Sequence, residues 1–176
     1  EAYLRGIERR IEAGLDSNIG SAASVFVSRW DTAVAGSVPG TLRNRLGIAV
    51  AQRTYAASCS LFNSPRWQRI CKAGARPQRL LWASTGTKDP AASDILYVET
   101  LAAPSTVNSM PEATLKALAG YERLGKGLTA DGGDCEEVLE RFIEEGIEIN
   151  LLAAQLQEAG AKAFVKSWKD LMAVIG

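Results

Sequence analysis

The chain has 176 residues, enough for one domain with its own core. Its 20 basic and 20 acidic residues cancel, so no global field draws it to nucleic acid or to an acidic membrane surface. No apolar run approaches the ~20 residues that a membrane-spanning helix needs, and no stretch reads as a signal peptide.

In chain order, the first expected element is a helix over residues 1–13, with Leu4, Ile7 and Ile11 at helical spacing and Gly14 placed to end it. A helix that begins this abruptly, without a cap, suggests that a preceding portion is missing. Ala22 to Arg29 is small, β-branched and aromatic without strict alternation, which predicts a strand covered on both faces and ending in a basic residue. Residues 32–40 form a loop, and a long helical region spans roughly 41–73, broken by Ser64-Pro65. Residues 79–84 form the second strand. Asp89-Pro90 then suits an N-cap and first helical residue, predicting a helix to about 102. Thr106 to Met110 is a third strand, followed by a helix from Pro111-Glu112 to about 123.

This alternation predicts an α/β fold with a parallel sheet and right-handed crossovers. The glycine-rich residues 125–133 read as a flexible connection. Asp134 with Glu137 forms an acidic variant of a capping box, and closing helices are expected over roughly 134–145, 148–158 and 162–174, with breaks at Gly146 and Gly160. The division expected is therefore residues 1–124 as strand–helix units and 125–176 as helices packed on them.

Three cysteines (Cys59, Cys71 and Cys135) are scattered without a CxxC pair, which fits reduced thiols in a cytoplasmic protein better than a disulfide framework or a zinc site. Histidine is absent, so any chemistry falls to carboxylates, lysine or hydroxyls. In parallel α/β proteins ligands gather at the carboxyl ends of strands. Both stronger strands end there in groups able to hold a phosphate: Ser24 and Arg29 on the first, Ser84 and Lys88 on the second. The helix start expected at Asp89-Pro90 adds backbone N–H groups and a positive dipole end. The competing reading pairs Arg29 with Asp31 or Asp89 on the surface. Glu136, Glu137, Glu140, Glu144, Glu145 and Glu148 read as solvated helix faces.

Three stretches resemble transaldolase in its bacterial form, alone or fused to a phosphoglucose isomerase. They are Ala23-Ser24-Val25-Phe26-Val27-Ser28-Arg29, the run from Arg76 to Pro90 containing Leu80-Leu81-Trp82-Ala83-Ser84-Thr85-Gly86-Thr87-Lys88, and Thr106-Val107-Asn108-Ser109-Met110-Pro111. The likeness extends over essentially the whole chain. It implies the last part, strands six to eight, of a class I aldolase-type (β/α)8 barrel followed by extra helices. It also implies a pentose phosphate pathway enzyme that moves a dihydroxyacetone unit between sugar phosphates through a lysine Schiff base, with no metal or other cofactor. The sugars would be fructose 6-phosphate, sedoheptulose 7-phosphate, erythrose 4-phosphate and glyceraldehyde 3-phosphate.

Carried onto this chain, the resemblance makes Ser24, Arg29 and Ser84 phosphate ligands and Phe26 an aromatic of the substrate pocket. Many transaldolases place a second arginine where this chain has Gly86, and Lys88 is inferred to supply that charge. The family's Schiff-base lysine, acidic pair and fifth-strand asparagine and threonine would all precede residue 1, leaving no catalytic residue here. Lys88 is not assigned the Schiff-base role, which needs burial or a neighbouring cation, because it lies beside Asp89. A barrel of this kind takes ~250 residues, so three strand–helix units leave strand edges that the missing amino-terminal part would cover. The alternative is a non-catalytic phosphosugar-binding or interaction module derived from a transaldolase.

Overall fold

The apolar runs expected as strands pair side by side. The computed structural model, which describes residues 1–121 and 125–175, holds one three-stranded parallel sheet. Its order is β1 (Ala22–Phe26), β2 (Arg79–Ala83) and β3 (Thr106–Asn108). Ser24 lies opposite Leu81, Phe26 opposite Ala83, and Leu81 opposite Val107. Side chains alternate along a strand. Val25 therefore shares a face with Leu80 and Trp82, packed on Ala51 and Tyr55 of α3 (Leu46–Phe62) and Tyr97 of α5 (Leu96–Thr100). Trp82 is buried there with its indole N–H donating to the Leu101 carbonyl at 2.9 Å. Ser24 and Phe26 take the opposite face.

Two further apolar clusters flank the sheet. Leu4 and Ile7 of α1 (Ala2–Glu12) pack on Trp67 and Ile70 of α4 (Pro65–Lys72), and Arg66 forks onto the Glu8 carboxylate at 2.7 and 2.6 Å. Leu46, Ala49 and Val50 of α3 pack on Val138, Leu139 and Phe142 of α7 (Cys135–Glu144). The break at Ser64-Pro65 forms as expected: the Ser64 hydroxyl accepts the Trp67 N–H at 3.2 Å, with Pro65 as first helical residue. Gly14 and Gly146 sit at positive φ just past their helices, also as expected.

Other expectations give way to tertiary contacts. The first strand ends at Phe26 rather than Arg29, because residues 28–34 coil into a short helix, α2 (Ser28–Val34), where a strand end and a loop were expected. The long helix starts at Leu46 rather than 41, after a 3-10 turn over Gly40–Leu42. Asp89-Pro90 does not open a helix. The Asp89 carboxylate turns back to accept the Ala91 N–H at 2.9 Å and the Asn44 amide at 2.8 Å, and α5 begins only at Leu96. Those two bonds hold the Asp89 carboxyl below the usual carboxylate range.

Asp134 precedes α7 but makes no capping bond, since its carboxylate binds Arg45 at 3.1 Å and Gln52 at 3.3 Å instead. Gly160 does not break the closing segment, which is a single helix, α8 (Ile149–Ile175). After β3, α6 runs over Glu112–Leu118. It ends there rather than near 123 as expected, since residues 119–121 are not helical, while the expected division at 124 lies outside the described residues.

Asp31, on α2, explains both the early end of β1 and the late start of α3. Its buried carboxylate accepts the Leu46 and Gly47 N–H groups at 2.9 and 3.2 Å, two orphan donors of the α3 first turn, and the Tyr97 hydroxyl at 2.8 Å. Burial pushes this carboxyl above the usual range, against the opposing pull of those three bonds. The approach needs glycine at 47, where a Cβ would lie 2.5 Å from the Val27 carbonyl oxygen and 2.6 Å from Asp31 Oδ2.

Gly47→Ala is therefore expected to cost about 2–4 kcal/mol in urea unfolding, and a loss below about 0.5 kcal/mol would contradict this packing. A carboxyl whose pKa is raised on folding contributes stability that is present below its unfolded pKa and lost as pH rises through its folded one. The stability advantage of the parent over Asp31→Asn should accordingly shrink as pH rises through and above the ordinary carboxylate range. Urea titrations at several pH values would read this, and a flat or growing difference would refute it.

Candidate functional site

The turn that ends β1 builds the site. Val27 leaves the strand at φ −78°, ψ −61°, while its N–H still donates to the Ala83 carbonyl at 2.9 Å and the Ser28 N–H to the Ser84 carbonyl at 3.0 Å. The chain is thus pinned to β2 while it changes direction, and Ser28 and Arg29 arrive at the carboxyl rim beside Ser84. The Ser28 and Ser84 hydroxyls lie 2.8 Å apart. Ser84 holds φ at +55°, a left-handed conformation that costs a residue with a Cβ about 1 kcal/mol or more. Next to it the buried Thr85 hydroxyl bonds to the Asn108 side chain at 2.8 Å and the Ser109 carbonyl at 3.1 Å, tying the loop to the end of β3.

Ser24, Phe26 and Arg29 line one cavity of about 550 Å³ whose far wall is α8. The Arg29 guanidinium carbon sits 4.4 Å from the Phe26 ring centroid, a cation–π contact worth about 0.5–1 kcal/mol where water still reaches it. Phe26 also meets Phe164 edge-on, with centroids 6.3 Å apart and planes at 76°. Arg29 has no ion-pair partner among the described residues. The two carboxylates proposed to neutralise it are engaged elsewhere, Asp31 with the start of α3 and Asp89 with Asn44. A guanidinium held flat by an aromatic face and left without a counter-charge is equipped to take an anion.

Lys88 stands apart from this group. It lines a second cavity, of about 280 Å³, together with Asp31, Arg43, Asn44, Asp89 and Tyr97. The two cations thus reach the same rim of adjacent strands but open into different cavities, and the helix start expected at Asp89-Pro90 does not form beside Lys88. Gly86 has no room for the arginine of the resemblance, since a Cβ there would lie 2.9 Å from Pro111 Cγ.

Sequence reasoning missed Ser28, which a strand reading hides, and the Asp31–Tyr97 bond, which joins residues remote in the chain. An acidic residue two positions after a strand-ending arginine was the available signal for the first turn of α2. Among the described residues no set of three Cys, Asp or Glu side chains clusters as a metal site, and no helix is long and apolar enough to cross a membrane.

The model of the family described as transaldolase/fructose-6-phosphate aldolase matches residues 7–175. The chain is 42% identical over 184 residues to the transaldolase of Parafrankia sp. (strain EAN1pec), covering 99% of this chain and 50% of that protein. It is 41% identical over 181 residues to the transaldolase of Thermobifida fusca (strain YX), covering 98% and 49%. With the transaldolase of Thiobacillus denitrificans (strain ATCC 25259 / T1) the identity is 38% over 184 residues, covering 100% and 51%. The chain spans about half the length of these curated relatives. The family match takes in nearly the whole chain, with β1, the Ser84 loop and all of α8, and the chain belongs to the transaldolase/fructose-6-phosphate aldolase family.

Proposed function

We propose that the protein carrying this chain is a transaldolase, moving a dihydroxyacetone unit between sugar phosphates through a lysine Schiff base, and that these residues hold the substrate phosphate. In this reading Ser24, Arg29 and Ser84 bind the phosphate, Phe26 lines the pocket, and Lys88 adds charge from the neighbouring cavity. The strands β1 to β3 correspond to strands six to eight of a class I aldolase-type (β/α)8 barrel. Residues 1–124 are an incomplete barrel segment, and residues 125–176 are helices packed on it. The Schiff-base lysine and the acidic pair belong to residues outside this chain, which carries no catalytic residue of its own. Fructose 6-phosphate, sedoheptulose 7-phosphate, erythrose 4-phosphate and glyceraldehyde 3-phosphate are the proposed substrates, handled in the cytoplasm of the cell.

The observation that carries this reading is the Arg29 guanidinium, stacked on Phe26, without an ion-pair partner among the described residues, in the cavity that Ser24 also lines. Its planar fork can give a phosphate dianion two parallel N–H bonds, and the serine hydroxyls can donate to the remaining oxygens. Binding energy collected at the phosphate, away from the reacting carbons, would fix the sugar for the chemistry performed elsewhere in the site.

Arg29→Gln is expected to raise KM for a phosphorylated aldehyde acceptor about tenfold or more, with little change for the unphosphorylated analogue. Lys88→Gln should raise it less, in a way that disappears at high salt, because its field acts from the next cavity. An unchanged KM in Arg29→Gln would end the half-site. Borohydride with fructose 6-phosphate should trap an adduct on the full-length protein and none on these residues alone. Phosphosugar binding without an adduct in the full-length protein would leave the non-catalytic module as the reading. An adduct on the isolated residues would return Lys88 to consideration as the nucleophile.

A further inference from the structure

Helix α8 carries a glycine in its interior, at Gly160, where the residue costs helix stability relative to alanine and where no turn needs it. The residues of α8 that line the Arg29 cavity are Ala153, Leu156, Gln157, Gly160, Ala161 and Phe164, one stripe at helical spacing. A Cβ on Gly160 would lie 3.2 Å from Arg29 Nη1, tighter than ordinary van der Waals contact. One turn on, Phe164 meets the edge of Phe26, the ring over which the same guanidinium lies. The guanidinium thus touches two surfaces, the Phe26 ring and the backbone of α8 at Gly160. A side chain at position 160 would press on the guanidinium and shift it by a few tenths of an ångström.

We propose that α8 positions the phosphate-binding cation: Gly160 leaves the space that the Arg29 guanidinium occupies, and Phe164 braces Phe26 beneath it. Gly160 is then a positioning residue, acting on the ligand only through Arg29, and its identity sets affinity for the phosphoryl group and not for the rest of the sugar. This rests on the reading of Arg29 as a phosphate ligand.

The test measures inorganic phosphate binding, by phosphorus NMR or calorimetry, on the full-length protein carrying this chain. Gly160→Ala should leave the melting temperature unchanged or raised, since alanine favours the helix, yet weaken phosphate binding about threefold to tenfold by displacing the guanidinium. Gly160→Leu should weaken it further. In an Arg29→Gln background Gly160→Ala should have no additional effect, a coupling that a merely structural role would not produce. In the activity assay, KM for a phosphorylated acceptor should rise while kcat and the constants for the unphosphorylated analogue stay in place. If Arg29→Gln weakens phosphate binding and Gly160→Ala does not, the positioning role is overturned and the half-site survives. Additive effects of the two substitutions, or a Gly160→Ala variant that loses stability and all ligands together, would equally overturn it. If Arg29→Gln leaves phosphate binding unchanged, or the parent binds none, the half-site reading falls and takes the positioning role with it.

Discussion

The Asp31 carboxylate is the contact on which the local architecture depends. It draws α2, the first turn of α3 and Tyr97 of α5 to a single pair of oxygens. Satisfying three donors at once offsets the cost of burying a charge, which an unpaired carboxylate could not do. The consequence lies two residues upstream. With Asp31 fixed under α3, the chain must coil immediately after Phe26, and that early turn carries Arg29 over the Phe26 ring instead of leaving it at the tip of an extended strand. Gly47 serves the same junction, because only a residue without a Cβ allows the Val27 carbonyl and Asp31 to approach α3 together.

The rim that results is polarised. Hydroxyls from Ser28 and Ser84 face one another, Ser84 holds a backbone conformation that its own Cβ disfavours, and Arg29 lies without a counter-ion among the described residues. A left-handed serine is retained only where surrounding contacts over-determine it, here through Thr85 and the strand bonds to Ser28. Lys88 belongs to the adjoining cavity with Arg43, so the charge at this end of the sheet is divided between two openings.

Much of the fold was legible because it follows from local pattern. Apolar β-branched runs gave β1 to β3, Ser64-Pro65 gave a helix boundary, and glycines 14 and 146 marked helix ends that they do form. The strand ends alone pointed to Ser24, Arg29, Ser84 and Lys88 as groups able to hold a phosphate, whereas Phe26 entered only through family likeness. What was illegible depended on distant partners. Val27-Ser28-Arg29 reads as strand until Asp31 is known to reach Leu46. Asp89-Pro90 reads as a helix start until Asn44 competes for the same carboxylate. Asp134 reads as a cap, but Arg45 and Gln52 take its oxygens. Gly160 reads as a break, yet the helix runs through it, and a Cβ there would lie 3.2 Å from Arg29 Nη1, a neighbour remote in the chain.

All three strands run the same way, so each pairs with its neighbour only after the intervening chain has looped back across the sheet. β2, the neighbour of β1 in this sheet, is made only after α3 and α4. Loop-closure entropy is spent before any ladder hydrogen bond repays it. The helical contacts of α1 with α4 span less of this delay than those of α7 with α3. The rim where the Ser28 and Ser84 hydroxyls meet takes shape only after that closure, because its two halves come from the ends of β1 and β2.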